Sequence, residues 1–103
     1  MSGTFGEMGN LLKQAQQMQR EIDRAREELK KARLEGSAGG AVRVEVDGEG
    51  GIARISIQPE AAGDVRLLEE MVLAALSEAQ ARASKMRDER MSKVMGGLPL
   101  PGI

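Results

Sequence analysis

Four cationic side chains recur in the first third of the chain at steps of seven, four and seven residues: Lys13, Arg20, Arg24 and Lys31. Steps of four and seven are close to one and two turns of an α-helix, so all four side chains lie on one side of it. A row of fixed positive charges attracts phosphate oxygens with little regard to base sequence. The chemistry predicted for this face is therefore electrostatic binding of a polyanion.

An apolar seam runs along the opposite side of the same segment, at alternating steps of three and four: Met8, Leu11, Ala15, Met18, Ile22, Ala25, Leu29 and Ala32. This heptad pattern predicts a helix that lies along a partner helix, from about Glu7 to about Leu34. At ~1.5 Å per residue the seam is roughly 37 Å long. A small domain cannot bury a helix of that length on all sides. The helix is expected to project as an arm, with residues 1–6 as a flexible tail.

The middle of the chain changes to a period of two, which is typical of half-buried strands. Val42, Val44 and Val46 alternate with charged residues. After a glycine-rich turn, Ala53, Ile55 and Ile57 form the apolar face of a second strand, which Pro59 ends. The two strands predict a hairpin, with a weaker signal for a third strand at residues 32–36. A hairpin this small needs a covering layer.

The last helix is expected to supply that layer. Asp64 is a plausible N-cap, and an apolar stripe follows it at helical spacing. Residues 96–103 have the sequence GGLPLPGI. Their two glycines at the start and two prolines exclude a regular helix, and we expect a flexible tail. The sequence thus predicts one α+β domain over residues 1–103. It has a long N-terminal helix, an antiparallel sheet of two or three strands and a long C-terminal helix.

The side chains needed for the common kinds of enzyme catalysis are missing from the sequence. The 103 residues contain no His and no Cys, so neither a Ser-His nor a Cys-His pair can be built, and a thiolate zinc site is excluded. Asp47, Glu49, Glu60 and Asp64 match no calcium-binding spacing, and solvated turn residues explain them better. No apolar run approaches a membrane span, and no signal peptide begins the chain. We expect a cytoplasmic, non-enzymatic protein without cofactor, metal or small-molecule substrate.

Charge is distributed unevenly along a chain whose formal net charge is −1. Residues 36–64 carry two basic and five acidic side chains, whereas residues 82–93 carry five basic and two acidic ones. The helices are therefore cationic and the sheet anionic. Mixed charge is also usual on a solvated helix: Glu21 and Glu28 could pair with Arg26 and Arg33 of a parallel partner, and Glu27 with Lys31.

An ordered set of motifs resembles the YbaB/EbfC family of bacterial nucleoid-associated proteins. The motifs are GNLLKQAQQMQ at 9–19, Gly39-Gly40, Val42, Val44, Gly48, Ile55, Ile57, Pro59, LEEMV at 68–72, AALSEA at 74–79 and GGLPLPG at 96–102. The resemblance implies a homodimer with projecting helical arms that binds double-stranded DNA, organises the nucleoid and affects gene expression. By position it assigns DNA contacts to Lys13, Arg20, Arg24, Lys30, Lys31, Arg82, Lys85, Arg87, Arg90 and Lys93.

The core and the dimer contacts are expected to come from the seam, the strands and the last helix, through Leu11, Met18, Ile22, Leu29, Val42, Val44, Val46, Ile55, Ile57, Leu68, Val72 and Leu76. One alternative is a protein–protein adaptor whose heptad helix captures a partner's helix without any DNA. A weaker alternative is a metal-dependent hydrolase that uses carboxylates alone.

Overall fold

The computed structural model of the protein describes residues 3–96, with side chains from residue 6 onward. Two long helices flank a three-stranded antiparallel sheet in the order of the chain, which confirms the predicted α+β fold. The elements in chain order are α1 (Gly3–Lys31), β1 (Leu34–Ala38), β2 (Val42–Val46), β3 (Ile52–Ile57), a short 3-10 helix (Pro59–Gly63) and α2 (Val65–Val94).

Helix α1 differs from its prediction at both ends. It begins at Gly3 rather than about Glu7, so residues 3–6 belong to the helix; residues 1–2 and 97–103 of the two predicted tails lie outside the described residues. It ends at Lys31 rather than at about Leu34, which is instead the first residue of β1. The Arg33 guanidinium donates hydrogen bonds to the carbonyl oxygens of Lys30 and Ala32, at 3.0 and 2.9 Å. These bonds satisfy carbonyl groups that a helix end leaves without partners.

The sheet is an antiparallel meander in the order β1-β2-β3. Its central strand presents Val42, Val44 and Val46 to the interior, each with 0% of its surface exposed. The predicted hairpin and the weak third strand are both present. The pairing shifts register at Glu45/Val46, so Ile52 lies opposite Val46. Ala53 lies at this irregularity and has no pairing partner in β2, so the predicted alternation along β3 is interrupted there.

Helix α2 covers the sheet through a stripe of small residues. Ala75, Ala79 and Ala83 are fully buried and pack against the three valines of β2. Alanine permits the helix axis to approach the sheet closely, and Gly36 of β1 lies directly beneath it. The predicted N-cap is confirmed, since the Asp64 carboxylate accepts a hydrogen bond from the Leu67 amide at 3.1 Å.

Strand β3 is not covered by α2, contrary to the expectation that the last helix shields the whole hairpin. The helix packs on β1 and β2, and β3 is an edge strand hydrogen-bonded to β2 alone. Ile52, Ile55 and Ile57 are consequently 54%, 47% and 42% exposed. The β2–β3 pairing sets Ile55 and Ile57 opposite Val44 and Val42, so these isoleucines continue the apolar face of the sheet beyond the edge of α2.

The predicted core divides into buried and exposed residues. Leu29 is 2% exposed and lies outside the valine–alanine cluster, beside Met86 of α2. Leu68, Val72 and Leu76 are half-buried and pack around the alanine stripe. Ile22 is also half-buried. Leu11 and Met18, which precede the part of α1 that meets α2, are 64% and 39% exposed. The chain measures 77 Å along its longest axis and only 23 and 15 Å across, as a projecting arm requires.

Replacement of Gly36 by Ala tests the close approach of α2 to β1. A Cβ atom at this position would collide with the Ala75 carbonyl oxygen and lie 2.6 Å from the Ala79 amide nitrogen, both in the helix backbone. We expect Gly36→Ala to lower the free energy of unfolding by about 3 kcal/mol, measured by urea denaturation. Gly63→Ala is the control, because nothing lies within 4 Å of its Cβ position. Equal stability of the two variants would contradict the packing.

Candidate nucleic-acid interface

The C-terminal halves of α1 and α2 lie side by side and run antiparallel. Leu29 and Met86 line one cleft at the base of the pair, and Glu28 forms an ion pair with Arg90 one turn further along α2. Towards the end of α2, Lys93 shares a second cleft with Arg24 and Glu21. Lower numbers on α1 thus meet higher numbers on α2, and α1 continues as a single helix beyond the end of α2.

The turn between β2 and β3 fastens this helix pair to the sheet. The Gly48 amide donates to the Leu29 carbonyl at 2.7 Å, and the Arg87 guanidinium donates to the Glu49 carbonyl at 3.2 Å. The Asp47 carboxylate accepts hydrogen bonds from the amides of Glu49 and Gly51 at 2.8 and 3.0 Å, which fixes the turn itself. Each helix is therefore joined to the same loop, and the loop sets where the helix pair leaves the sheet.

Three cations meet in the cleft between the helices. Arg24 of α1 and Arg90 and Lys93 of α2 line an open cleft of about 310 Å³, together with Glu21 and Glu28. Three positive and two negative side chains leave a local excess of positive charge. These cations come from residues far apart in sequence, and the antiparallel helix packing is what places them together.

Four of the ten cations assigned by resemblance already have partners within the chain. Lys30 lies 3.5 Å from the Glu27 carboxylate, and Arg90 pairs with Glu28. Arg82 lies 3.3 Å from the Glu78 carboxylate and donates to the Glu35 carbonyl at 2.9 Å. Arg87 holds the sheet turn. These four are partly committed to the fold, and surface pairs of this kind contribute little to stability.

The other six cations are exposed, and within the described part of the chain no carboxylate lies within 4.0 Å of them: Lys13, Arg20, Arg24, Lys31, Lys85 and Lys93. Lys13 and Arg20 stand on the part of α1 that extends beyond α2. The structure thus leaves cations available along the arm and at the helix pair.

Glu28 has a role that sequence reasoning missed. The heptad positions allowed Glu21 and Glu28 to pair with Arg26 and Arg33 of a parallel partner helix. Glu28 instead pairs with Arg90 of the same chain, and Arg33 caps the end of α1. Glu27 likewise pairs with Lys30 rather than with Lys31. Heptad positions indicate which residues flank a seam, but they do not reveal that the second helix comes from the chain itself.

Comparison with known proteins identifies the family. The sequence profile of the YbaB/EbfC DNA-binding family matches residues 5–98. The chain belongs to this family. A nucleoid-associated protein of Acetivibrio thermocellus is 45% identical over 105 aligned positions, which cover 98% of this chain and 93% of the relative. A nucleoid-associated protein of Pelotomaculum thermopropionicum is 41% identical and covers 95% of this chain and 96% of its own length.

A crystal structure of an uncharacterized protein from Helicobacter pylori has the same fold. It superposes with a TM-score of 0.76 over 89% of this chain and 97% of the other, at 22% sequence identity. At this identity the likeness concerns the fold alone.

Other kinds of site receive no support from the geometry. Within the described residues, no group of three or more His, Cys, Asp or Glu side chains is placed to hold a metal ion. The Asp47 carboxylate is occupied by the backbone amides of its own turn. No helix within residues 3–96 is both long enough and apolar enough to cross a membrane.

The Glu28–Arg90 pair is expected to orient α2 on α1 without adding much stability. Both side chains are 40–46% exposed, so water and salt screen the attraction between them. A double-mutant cycle with Glu28→Gln and Arg90→Gln, read by urea unfolding, should give a coupling energy below about 1 kcal/mol. That coupling should shrink further in high salt. A coupling of several kcal/mol that persists in salt would contradict this account.

Proposed function

We propose that the protein is a non-enzymatic, nucleoid-associated protein that binds double-stranded DNA through the basic helical arms of a homodimer. Membership of a DNA-binding family and the names of its relatives support this function. The proposal places the protein in the cytoplasm, at the nucleoid. Its role there is to organise DNA and, through that organisation, to influence gene expression.

The observation that carries the proposal is the set of exposed, unpaired cations along α1 and the end of α2. Duplex DNA is a dense line of phosphate charge, and each Lys or Arg that contacts it releases condensed counterions. Arg24 and Lys93 face the same cleft between the helices, and Lys13 and Arg20 extend the positive face along the arm. Such contacts position a protein on the backbone and carry no base information. The proposed binding is therefore largely independent of sequence.

Acidic residues limit the strength of this binding. Arg90 is paired with Glu28, and Lys30 is paired with Glu27. Each of these two cations must break its ion pair before it can bind a phosphate. The formal net charge of −1 also repels DNA at long range. Joining two chains in a dimer offsets this weakness, because the second set of arms binds at a high effective concentration once the first has bound.

Strand β3 is the surface proposed to join the two chains. Its outer edge has no strand partner within the described residues, and unpaired edge groups together with exposed isoleucines favour association. A second copy that packs on this surface would bury the apolar face that α2 leaves uncovered.

A carboxylate at Ile55 should separate the two chains. Ile55→Asp places a charge at the centre of the proposed contact, and we expect it to raise the dissociation constant of the dimer at least about 100-fold. Ser56→Asp is the matched control: it adds the same charge on the other face of β3, opposite Arg43. Sedimentation velocity measures both. If Ile55→Asp remains folded and dimeric, β3 is not the dimer surface.

Charge reversal on α1 should abolish DNA binding and leave the dimer intact. Arg24→Glu combined with Lys31→Glu replaces two exposed cations with anions, and the effect is read as loss of the shifted band in a gel-shift assay with duplex DNA. The control is Arg43→Glu combined with Arg66→Glu, which changes the net charge equally but lies on β2 and the start of α2, outside the proposed dimer strand β3. Unchanged DNA affinity in the α1 variant would defeat the proposal. Equal loss of affinity in both variants would mean that net charge, and not the position of the cations on α1, determines DNA binding.

A further inference from the structure

The apolar seam of α1 is covered over only half of its length. Ala25 and Leu29 are 3% and 2% exposed where α2 lies against them. Met8, Leu11 and Leu12 are 62%, 64% and 60% exposed on the part of α1 that extends beyond α2. We call residues 8–18 the free seam. It continues an existing helix–helix interface on the same face of the same helix.

The part of α1 that carries the free seam has low helical stability without a packing partner. Gly6 and Gly9 lie near or within it, and no atom approaches within 4 Å of the Cβ position of either. Glycine lowers helix stability, and short isolated helices are marginal in water. Packing of an apolar face against another helix is the usual source of helical stability in proteins. The free seam therefore has the pattern of a helix-binding surface, and a partner helix packed on it would stabilise this part of α1.

The charge pattern indicates what kind of helix fits. Lys13 is the sole charged residue between Met8 and Gln19, and it lies on the face opposite the seam. The polar positions around the seam are mostly glutamines: Gln14, Gln16, Gln17 and Gln19. Charges that flank a seam normally select partners of complementary charge and repel identical ones. Without such charges, an identical helix meets no like-charge repulsion.

We propose that the free seam binds the free seam of a second copy of this chain, with the two helices antiparallel. An antiparallel neighbour enters the seam in the same direction as α2, which already occupies the other half. A parallel neighbour would have to diverge from α1 at the C-terminal end of α2, which covers the seam from there on. In the antiparallel register Met8 lies opposite Met18 of the second copy and Leu11 opposite Ala15. Each leucine then packs against the small alanine of the other helix, between two pairs of flexible methionines.

The proposed contact uses the face of α1 that DNA does not. Lys13 and Arg20 remain on the outer side of the paired helices. If the proposed function holds, arm-to-arm contacts between separate dimers would connect two DNA-bound molecules, and that consequence rests on the proposed function. The contact itself does not, and its test contains no DNA.

Cross-linking tests the contact directly, because the chain has no native cysteine. A mixture of Leu11→Cys and Ala15→Cys proteins is oxidised and separated on a non-reducing gel. We expect a disulfide-linked pair at twice the chain mass of 11.1 kDa, formed at least about tenfold more than in a mixture of Gln16→Cys and Ala15→Cys. Equal yields in the two mixtures, or no linked pair, would overturn the proposal.

Sedimentation velocity without DNA gives an independent measurement. In the Ile55→Asp background, which blocks the proposed sheet contact, the mass should still rise with concentration towards two chains. Leu11→Glu added to it should weaken that association at least about 100-fold, because each pair would bury the charge twice, whereas Gln16→Glu should leave it unchanged. A constant mass of one chain would overturn the proposal. So would a Leu11→Glu variant that unfolds more easily but associates normally, since the seam would then be covered from within the chain.

Discussion

The close packing of the alanine stripe of α2 on the valines of β2 determines the rest of the architecture. Ala75, Ala79 and Ala83 bring the helix backbone so near the sheet that the neighbouring strand requires glycine at position 36. The core contains no large aromatic side chain, so it depends on proximity rather than on side-chain volume. A helix held this tightly over β1 and β2 cannot also reach β3.

Two surfaces follow from that position of α2. At one side of the sheet β3 keeps an uncovered apolar face and a free edge. At the far end α2 extends past the sheet and meets α1, and the turn at residues 47–51 is bonded to both helices. The first surface suits association of chains, and the second groups cations from both helices around one cleft. A single packing geometry thus separates an exposed apolar surface from a basic one.

The sequence predicts the elements well, because each has a clear period or boundary signal. The heptads of α1, the alternation in β2 and the N-cap Asp64 all appear as expected. The lateral offset of α2 could not be predicted, since apolar residues on β2 and β3 look equally suitable for burial. The register shift at Glu45/Val46 and the Glu28–Arg90 pair were also missed, because both depend on contacts between distant segments. For the site, charge patterning indicated which helices are basic but not which cations already have acidic partners.

The dependence of duplex-DNA affinity on salt concentration is the sharpest test of phosphate binding by the helical arms. If exposed lysines and arginines bind phosphates, the logarithm of the association constant should fall linearly with the logarithm of salt concentration. Its slope should be about −0.9 per phosphate neutralised. A slope near zero, or affinity that rises with salt, would contradict phosphate binding by these side chains.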